Sequence, residues 1–490
     1  MRIGPSHPWL GAAGFHLALP LLEFYYRKLA IYRSESRFAR DRVRAIKDKI
    51  ERGETVYLAG VSAAGIHNSG VALVEVTRNG PRLLFNNEEE RFSAVKHTNK
   101  YPQMSIEALR AAMAHMGLDI RNIDAWFSSW DYAALGATLI RSLLEELPAN
   151  IGMIKGDPTG LFNLRDFDRG SRAPSYIARQ LGLNEWVPLI GLPHHDNHAW
   201  FSFATSPFAH DPAPVIVAVL DGLGDMGSIS LYVCEGGRMR RLYSNDSVFD
   251  SLGIFYSVIS STQGGWTWLS SEGRYMGATA YGNGDRKTNP YYAALKPILA
   301  LEPDGRIAIN RDLANWQRDI LRKPYTPELI RILGQPLAPE DMWNPDAVLR
   351  IEDIKHKENT QERLNKAAAT QMVFEDALVH VVDHFIRTTG SDRLVLTGGI
   401  ALNALGNMRL VCKRRAGARA VRRLHGLYDV AGHHLRALPG RRRDWPARAR
   451  PPLDPRQSVQ SEHPRQPQCA SEIPRSDPPA GADADAGSRP

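Results

Sequence analysis

The sequence predicts an α/β fold, on three observations. Apolar runs of strand length lead into glycine-bearing loops, helical stretches separate those runs, and histidines and aspartates sit beside the loops, where such folds place their chemistry. The loops are VLDGLGDMGS at 219–228, SEGRYMGATAYG at 271–282 and LVLTGGIALN at 394–403. Each is read as the exit from a buried strand. Glycine turns of this kind let backbone N–H groups approach phosphate oxygens, so three on one chain point to a nucleotide-phosphate cleft.

Residues 1–53 read as a helical N-terminal extension. Its apolar stretch LGAAGFHLALPLLEFYY is interrupted by His16, Pro20 and Glu23, too short and broken for a transmembrane helix and poorly flanked for a signal peptide. The charged stretch 35–51 is helix-permissive and ends near Gly53. From Thr55 the pattern changes to strands: VYLAGVSAAG, GVALVEVTRNG and PRLLFNNEEE, the last two joined at Asn79-Gly80, a hairpin signal. A helix follows over 102–116. Strands are expected at 189–193, 214–220, 229–234 and 393–396, and a long buried helix at 362–388. The polar, proline-bearing stretch 285–357 reads as an insertion or lid.

The chain of 490 residues carries a net charge of +8, but the excess is confined to its end: Lys413–Pro490 holds 16 Lys and Arg against 8 Asp and Glu, and the preceding 412 residues hold 45 of each. A neutral folded part does not call for a nucleic-acid partner. Residues 411–490 also hold 11 of the 32 prolines and little aliphatic periodicity, a composition that cannot bury enough apolar surface to order itself. Arg, Ala, Pro and Gly are the residues that GC-rich codons specify out of frame, and the change comes a few residues into a helical stretch. A frameshift is therefore expected near Leu410. Of three cysteines only Cys234 precedes the break, which offers no disulfide framework and fits a reducing, cytoplasmic setting.

The run His194-His195-Asp196-Asn197-His198 places two imidazoles four residues apart, on one side of a helix, where both can hold one metal. No Glu follows the first histidine as a zinc protease requires. Asp221 opens the DGLGD loop, either as a turn residue or as a carboxylate holding a cation beside phosphate. Gly222 and Gly224 would cradle phosphate with their N–H groups.

GVSAAGIHNSGVALVE followed by NEEERFSAVKHTNKYP resembles the opening of the NodU/CmcH family of O-carbamoyltransferases, and HHDNHAWFSF, LDGLGD, SLGIFYSVI, SEGRYMGATAYG and TGGIALN recur there in this order. The resemblance covers about 56–410 and assigns a carbamoyltransferase domain to 54–410. It implies a duplicated ASKHA fold, like that of actin and sugar kinases. It further implies a carbamoyl-adenylate made from ATP and carbamoyl phosphate by a YrdC-like domain C-terminal to this one. An iron-type or other divalent metal would be held by His194, His198 and Asp221, and the acceptor would be a hydroxyl of a sugar or natural product. His195 would orient rather than ligate. Gly398, Gly399 and Asn403 would contact the adenosine and α-phosphate, and Glu272 is either a contact to the nucleotide ribose or a turn residue. His67 and Asn68 would face the acceptor, Asn68 departing from the aspartate usual in the family, with His67 left as a base. Arg91 or Lys96 would neutralise the developing oxyanion of a tetrahedral carbamoyl centre or the adenylate phosphate. A further aspartate in a late Asp-Gly loop has no counterpart here; Asp429 and Asp444 match nothing. A sugar-kinase-like enzyme or a non-catalytic nucleotide-binding remnant are the rival classes.

Translation of the coding DNA in all three forward frames from the Gly398 codon tests the frameshift. Another frame is expected to restore strands, an Asp-Gly loop and an α/β domain of roughly 200 residues; none doing so would make the tail genuine.

Overall fold

The computed structural model describes residues 1–28, 31–33, 37–62, 68–95, 98, 101–151, 179, 189–265, 271–320, 323–337 and 358–417. The expectations for His67, Lys96, 338–357 and the tail beyond 417 lie outside these residues.

Helix α1 (Pro8–Lys28) leads to the short strand β1 (Ile31–Arg33) and helix α2 (Arg37–Glu51). Strands β2 (Val56–Ser62), β3 (Gly70–Thr77) and β4 (Gly80–Glu88) follow as an antiparallel meander. The hairpin lies where Asn79-Gly80 foretold, with Arg78 and Asn79 in the turn and Gly80 taking the left-handed φ of 107° that glycine adopts without cost. Helix α3 (Gln103–His115), strand β5 (Ile123–Ser128), helix α4 (Tyr132–Glu145) and strand β6 (Leu189–Gly191) complete the first half, whose sheet runs β1-β6-β5-β2-β3-β4.

After helix α5 (His194–Thr205) the pattern repeats. Strands β7 (Val215–Leu220), β8 (Ile229–Glu235) and β9 (Arg238–Ser244) form a second antiparallel meander. Helices α6 (Leu252–Gly264) and α7 (Ser271–Ala278), the hairpin β10 (Leu299–Leu301) and β11 (Ile307–Ile309), and helix α8 (Glu358–Thr389) precede strand β12 (Leu394–Thr397) and helix α9 (Ala404–Gly417). The second sheet runs β12-β7-β8-β9, with β12 parallel to β7 as β5 is to β2. Each half thus places a first strand at its centre, a meander on one side and a parallel strand on the other. This is the duplicated ASKHA arrangement. All six residues of β7 are buried, as a strand covered on both faces requires.

Three expectations need correction. Residues 1–53 are not a purely helical appendage: β1 pairs in parallel with β6 and joins the sheet. Helix α1 lies close on α4 because Gly11 and Gly14 face Glu145 and Leu144, where a Cβ would collide with their side chains. The stretch 285–337 is not a lid, since Leu295, Ile298, Trp316 and Leu329 lie fully buried in one core with Phe255 of α6 and Phe374 of α8. SEGRYMGATAYG is helix α7 and a following 3-10 turn rather than a strand exit; Glu272 accepts from Ser257 Oγ and Ser271 Oγ bonds Ser260 Oγ, which ties it to α6.

No helix among the described residues is long and apolar enough to cross a membrane. The halves are joined by a buried ionic cluster. Glu146, just past α4, accepts from Arg311 Nε at 3.0 Å and Arg318 Nε at 3.3 Å, and Ser6 Oγ donates to the same carboxylate at 3.0 Å. The Glu146 and Arg311 side chains are 1% and 4% exposed, so removing the anion leaves a buried cation with the more distant Asp250 carboxylate, 3.8 Å from its Nη1. Glu146→Gln is expected to cost about 3 kcal/mol in denaturant unfolding. Arg306→Ala, which breaks an exposed pair with Asp304, should change stability by less than about 1 kcal/mol. Equal effects from the two would remove the cluster's structural role.

Candidate metal centre

The C-terminal ends of the parallel strands deliver the site. β2, β5 and β6 run in parallel, and their chain exits at Ser62, Ser128 and Gly191 share one edge of the first sheet. β7 and β12 end together at Leu220 and Thr397 in the second. Such edges are where open α/β sheets bind ligands.

Pro193 starts α5 and leaves it without a side-chain cap of its own. The missing acceptor comes from Asp225, whose Oδ2 accepts from His194 N at 2.7 Å and from Asp131 N at 3.1 Å. Asp131 in turn caps α4, its Oδ1 accepting from Ala133 N and Ala134 N at 3.1 Å. Burial, then the neighbouring Asp131, pushes the Asp225 carboxyl up to about 7, and the two N–H donors offset only part of this.

His194 and His198, one helical turn apart, both turn Nε2 toward Asp221 Oδ2, each at 3.2 Å. These three ligand atoms lie within 4.8 Å of one another. The other carboxylate oxygen, Oδ1, accepts from Gly222 N at 2.7 Å and Gly399 N at 3.1 Å. Burial would raise Asp221, but hydrogen bonds and charge from both histidines hold it well below the usual carboxylate range. Burial lowers His194, with His198 adding to the effect. In His198 burial acts downward too, but the Asp221 carboxylate outweighs it and the group stands above its ordinary value.

His194 Nδ1 lies 3.1 Å from the carbonyl oxygen of Ser129, which only accepts, so Nδ1 carries the proton. The neutral ring then turns a lone pair at Nε2 toward a carboxylate. Lone pairs converging on one point require a cation or proton among them. Two imidazole nitrogens and a carboxylate oxygen suit a borderline divalent ion, and their 3.2 Å separations match the roughly 3.3 Å edge of a tetrahedron with metal bonds of about 2.0–2.1 Å. His195 is not a ligand: it is buried, its Nδ1 lies 2.7 Å from Ser230 Oγ, and burial holds its pKa down to about 3.

The remaining expected residues make the following contacts. Gly224 N donates to Gly227 O at 2.6 Å, and Gly222 N to Asp221, so neither N–H stands free as a phosphate cradle. The glycines are needed for space instead. A Cβ at Gly224 would lie 2.5 Å from His195 Nε2 and 2.7 Å from Gly227 O. One at Gly398, where φ is +90°, would overlap the Leu220 carbonyl. Gly399 N meets Asp221 rather than an open cleft. Both ends of the Asn403 amide pair with Gln371 at 3.0 Å, and its Oδ1 also accepts from Gly406 N at 2.8 Å, which consumes it in the core. Glu272, in the first turn of α7, accepts from Ser257 Oγ. Asn68 Nδ2 donates to Glu88 Oε2 at 3.5 Å beside the start of β3, and Arg91 is exposed on the helical turn after β4.

Ser129, Trp130 and Gly253 carry no signal in the sequence, and Asp225 stood unassigned within the DGLGD motif. Trp130 stacks on His194 with ring centroids 3.8 Å apart and planes 9° from parallel. A Cβ at Gly253 would lie 2.5 Å from Gly222 Cα, so this glycine lets α6 dock against the Asp221 loop, where Ser251 Oγ donates to Gly222 O at 2.8 Å.

The family profile described as Carbamoyltransferase N-terminus matches residues 58–416. The chain belongs to that family. It is 26% identical over 327 residues to the nodulation protein NolNO of Sinorhizobium fredii, covering 66% of this chain and 40% of NolNO. It is 24% identical over 360 residues to the uncharacterized protein sll1178 of Synechocystis, covering 72% and 52%. A third relative, nodulation protein NolO of Bradyrhizobium diazoefficiens, is 27% identical over 218 residues, covering 44% and 33%. The chain thus spans about half or less of the length of these relatives. A solved structure of the Aquifex aeolicus PPX-GPPA enzyme overlaps 72% of this chain and 99% of its own, at 8% identity and a TM-score of 0.26. That overlap is too loose to bear on the fold, which rests on the strand orders.

Gly222→Ala, where a Cβ meets nothing within 4 Å, should leave thermal unfolding within about 1 kcal/mol of the parent. Gly224→Ala and Gly398→Ala should each cost about 2–3 kcal/mol. Equal tolerance at all three would contradict the packing of these loops.

Proposed function

We propose that this chain is the metal-holding, group-transferring part of a cytoplasmic O-carbamoyltransferase. The observation that carries this is the convergence of His194, His198 and Asp221 at the strand ends of a carbamoyltransferase domain. The donor is a carbamoyl-adenylate made from carbamoyl phosphate and ATP, and the acceptor a hydroxyl of a sugar or natural product. The acceptor oxygen bonds to the carbamoyl carbon, the bond from that carbon to the adenylate phosphate oxygen breaks, and AMP leaves with the electron pair. The hydroxyl proton passes to a base, for which His67 is proposed. Iron(II) or another divalent ion, when bound, polarises the carbamoyl oxygen or phosphate. Asp221 holds both histidines in register and, through Gly222 and Gly399, fixes them to the ends of β7 and β12. Asn68 is proposed to meet the acceptor by hydrogen bonding, and Arg91 and Lys96 to offset charge on the transferring group.

The test combines metal content and product analysis. The chain, loaded with iron(II) and given carbamoyl phosphate, ATP, a separate adenylate-forming protein and hydroxylated acceptors, is expected to bind about one metal and yield an acceptor carbamate. His194→Ala, His198→Ala and Asp221→Asn should lower metal affinity and product formation by at least about 100-fold. A phosphorylated acceptor without tight metal would establish a kinase. Nucleotide binding without either product would establish a non-catalytic remnant.

A further inference from the structure

We infer that Trp130 is a positioning residue for the metal site, holding the plane of the His194 imidazole so that only Nε2 faces Asp221. The inference rests on the proposed metal site and says how the first half builds it. A histidine ligand has two freedoms beyond its backbone, the direction of the ring and which nitrogen leads. Segment 128–131, between β5 and α4, removes both. The Trp130 indole, 4% exposed, lies flat against one face of the ring at 3.8 Å. Ser129 O takes the Nδ1 proton at 3.1 Å and also accepts from Asn197 Nδ2 at 3.2 Å, which ties the same carbonyl to α5. Asp131 N and His194 N share Asp225 Oδ2, so the segment and the start of α5 cannot shift independently. His198 meets the His194 ring edge-on, at 4.7 Å and 83°. The only direction left to Nε2 is toward Asp221.

The two histidines therefore differ. The His194 side chain is 16% exposed and fixed by the first half, whereas that of His198 is 33% exposed and lies on the open side of the site. A cation on His194 draws electron density from the imidazole and strengthens its attraction to the electron-rich indole face, so stacking and metal binding reinforce one another. The same contact makes Trp130 an optical reporter. A paramagnetic ion on His194 Nε2 sits one imidazole away from the indole and should quench it.

The experiment measures cobalt(II) affinity by chelator competition, and tryptophan emission during the titration, for the wild-type chain, Trp130→Phe and Trp130→Ala. Outer contacts to metal-bound histidines typically change affinity 10–100-fold. Trp130→Ala is expected to weaken cobalt binding by about 10-fold or more, with Trp130→Phe, which keeps a flat ring, within about 3-fold of wild type. Metal-dependent quenching should fall sharply in Trp130→Phe although the metal still binds. Circular dichroism melting separates a folding defect from a site defect, because a merely structural tryptophan would lower the melting midpoint without changing affinity per folded molecule. If Trp130→Ala does not fold, the quenching difference between wild type and Trp130→Phe decides. Unchanged affinity in folded Trp130→Ala, or undiminished quenching in Trp130→Phe, overturns the positioning role and leaves the metal site standing. A wild-type chain that takes no cobalt, iron or zinc overturns the metal site and this inference together.

Discussion

One buried carboxylate organises the second half of this protein and its seam with the first. Asp221 divides its two oxygens, Oδ1 to the N–H groups of Gly222 and Gly399, Oδ2 to the imidazoles of His194 and His198. A carboxylate taken out of water is costly unless its lone pairs are satisfied, and here four neighbours from three stretches of chain converge on it. Several other features follow as steric conditions. The turn after β12 must come within bonding reach of β7's exit, which leaves Gly398 no room for a side chain against Leu220. Helix α6 must start against the Asp221 loop, which imposes the same condition on Gly253.

Much of the fold was legible because its signals are local. The continuous apolar run of β7, the alternation and glycine turn of β3 and β4, and the length of α8 are each set within a few residues. Two of the strands that went unread have clear physical reasons. β9, RMRRLYS, is an edge strand whose charges guard against pairing with other chains, so it reads as surface. β5, IDAWFS, is short and carries at its second position a half-buried aspartate, Asp124, that Lys49 and the Tyr57 N–H satisfy from elsewhere in sequence.

The site shows the same division. The four-residue spacing of His194 and His198 is a property of one helix and could be read directly, and the order of motifs pointed to Asp221. The groups that orient those ligands could not be read, since Ser129 acts through a backbone carbonyl and Trp130 and Asp225 act across 64 and 31 positions of sequence. The glycines were legible as glycines, but not their purpose. Gly224 and Gly398 make room for His195 and Leu220, contacts set by tertiary packing that no turn pattern encodes.

The ionic cluster of Glu146, Arg311 and Arg318 joins the two halves as the triad does, since Glu146 follows α4 and both arginines flank Leu313 and Trp316, which lie in the core around α6 and α8. Helix α4 is capped by Asp131 beside His194 and ends at Glu145, so a single helix of about 20 Å reaches from one fastening to the other. The cluster and the triad thus fasten the two halves of this protein at opposite ends of one helix.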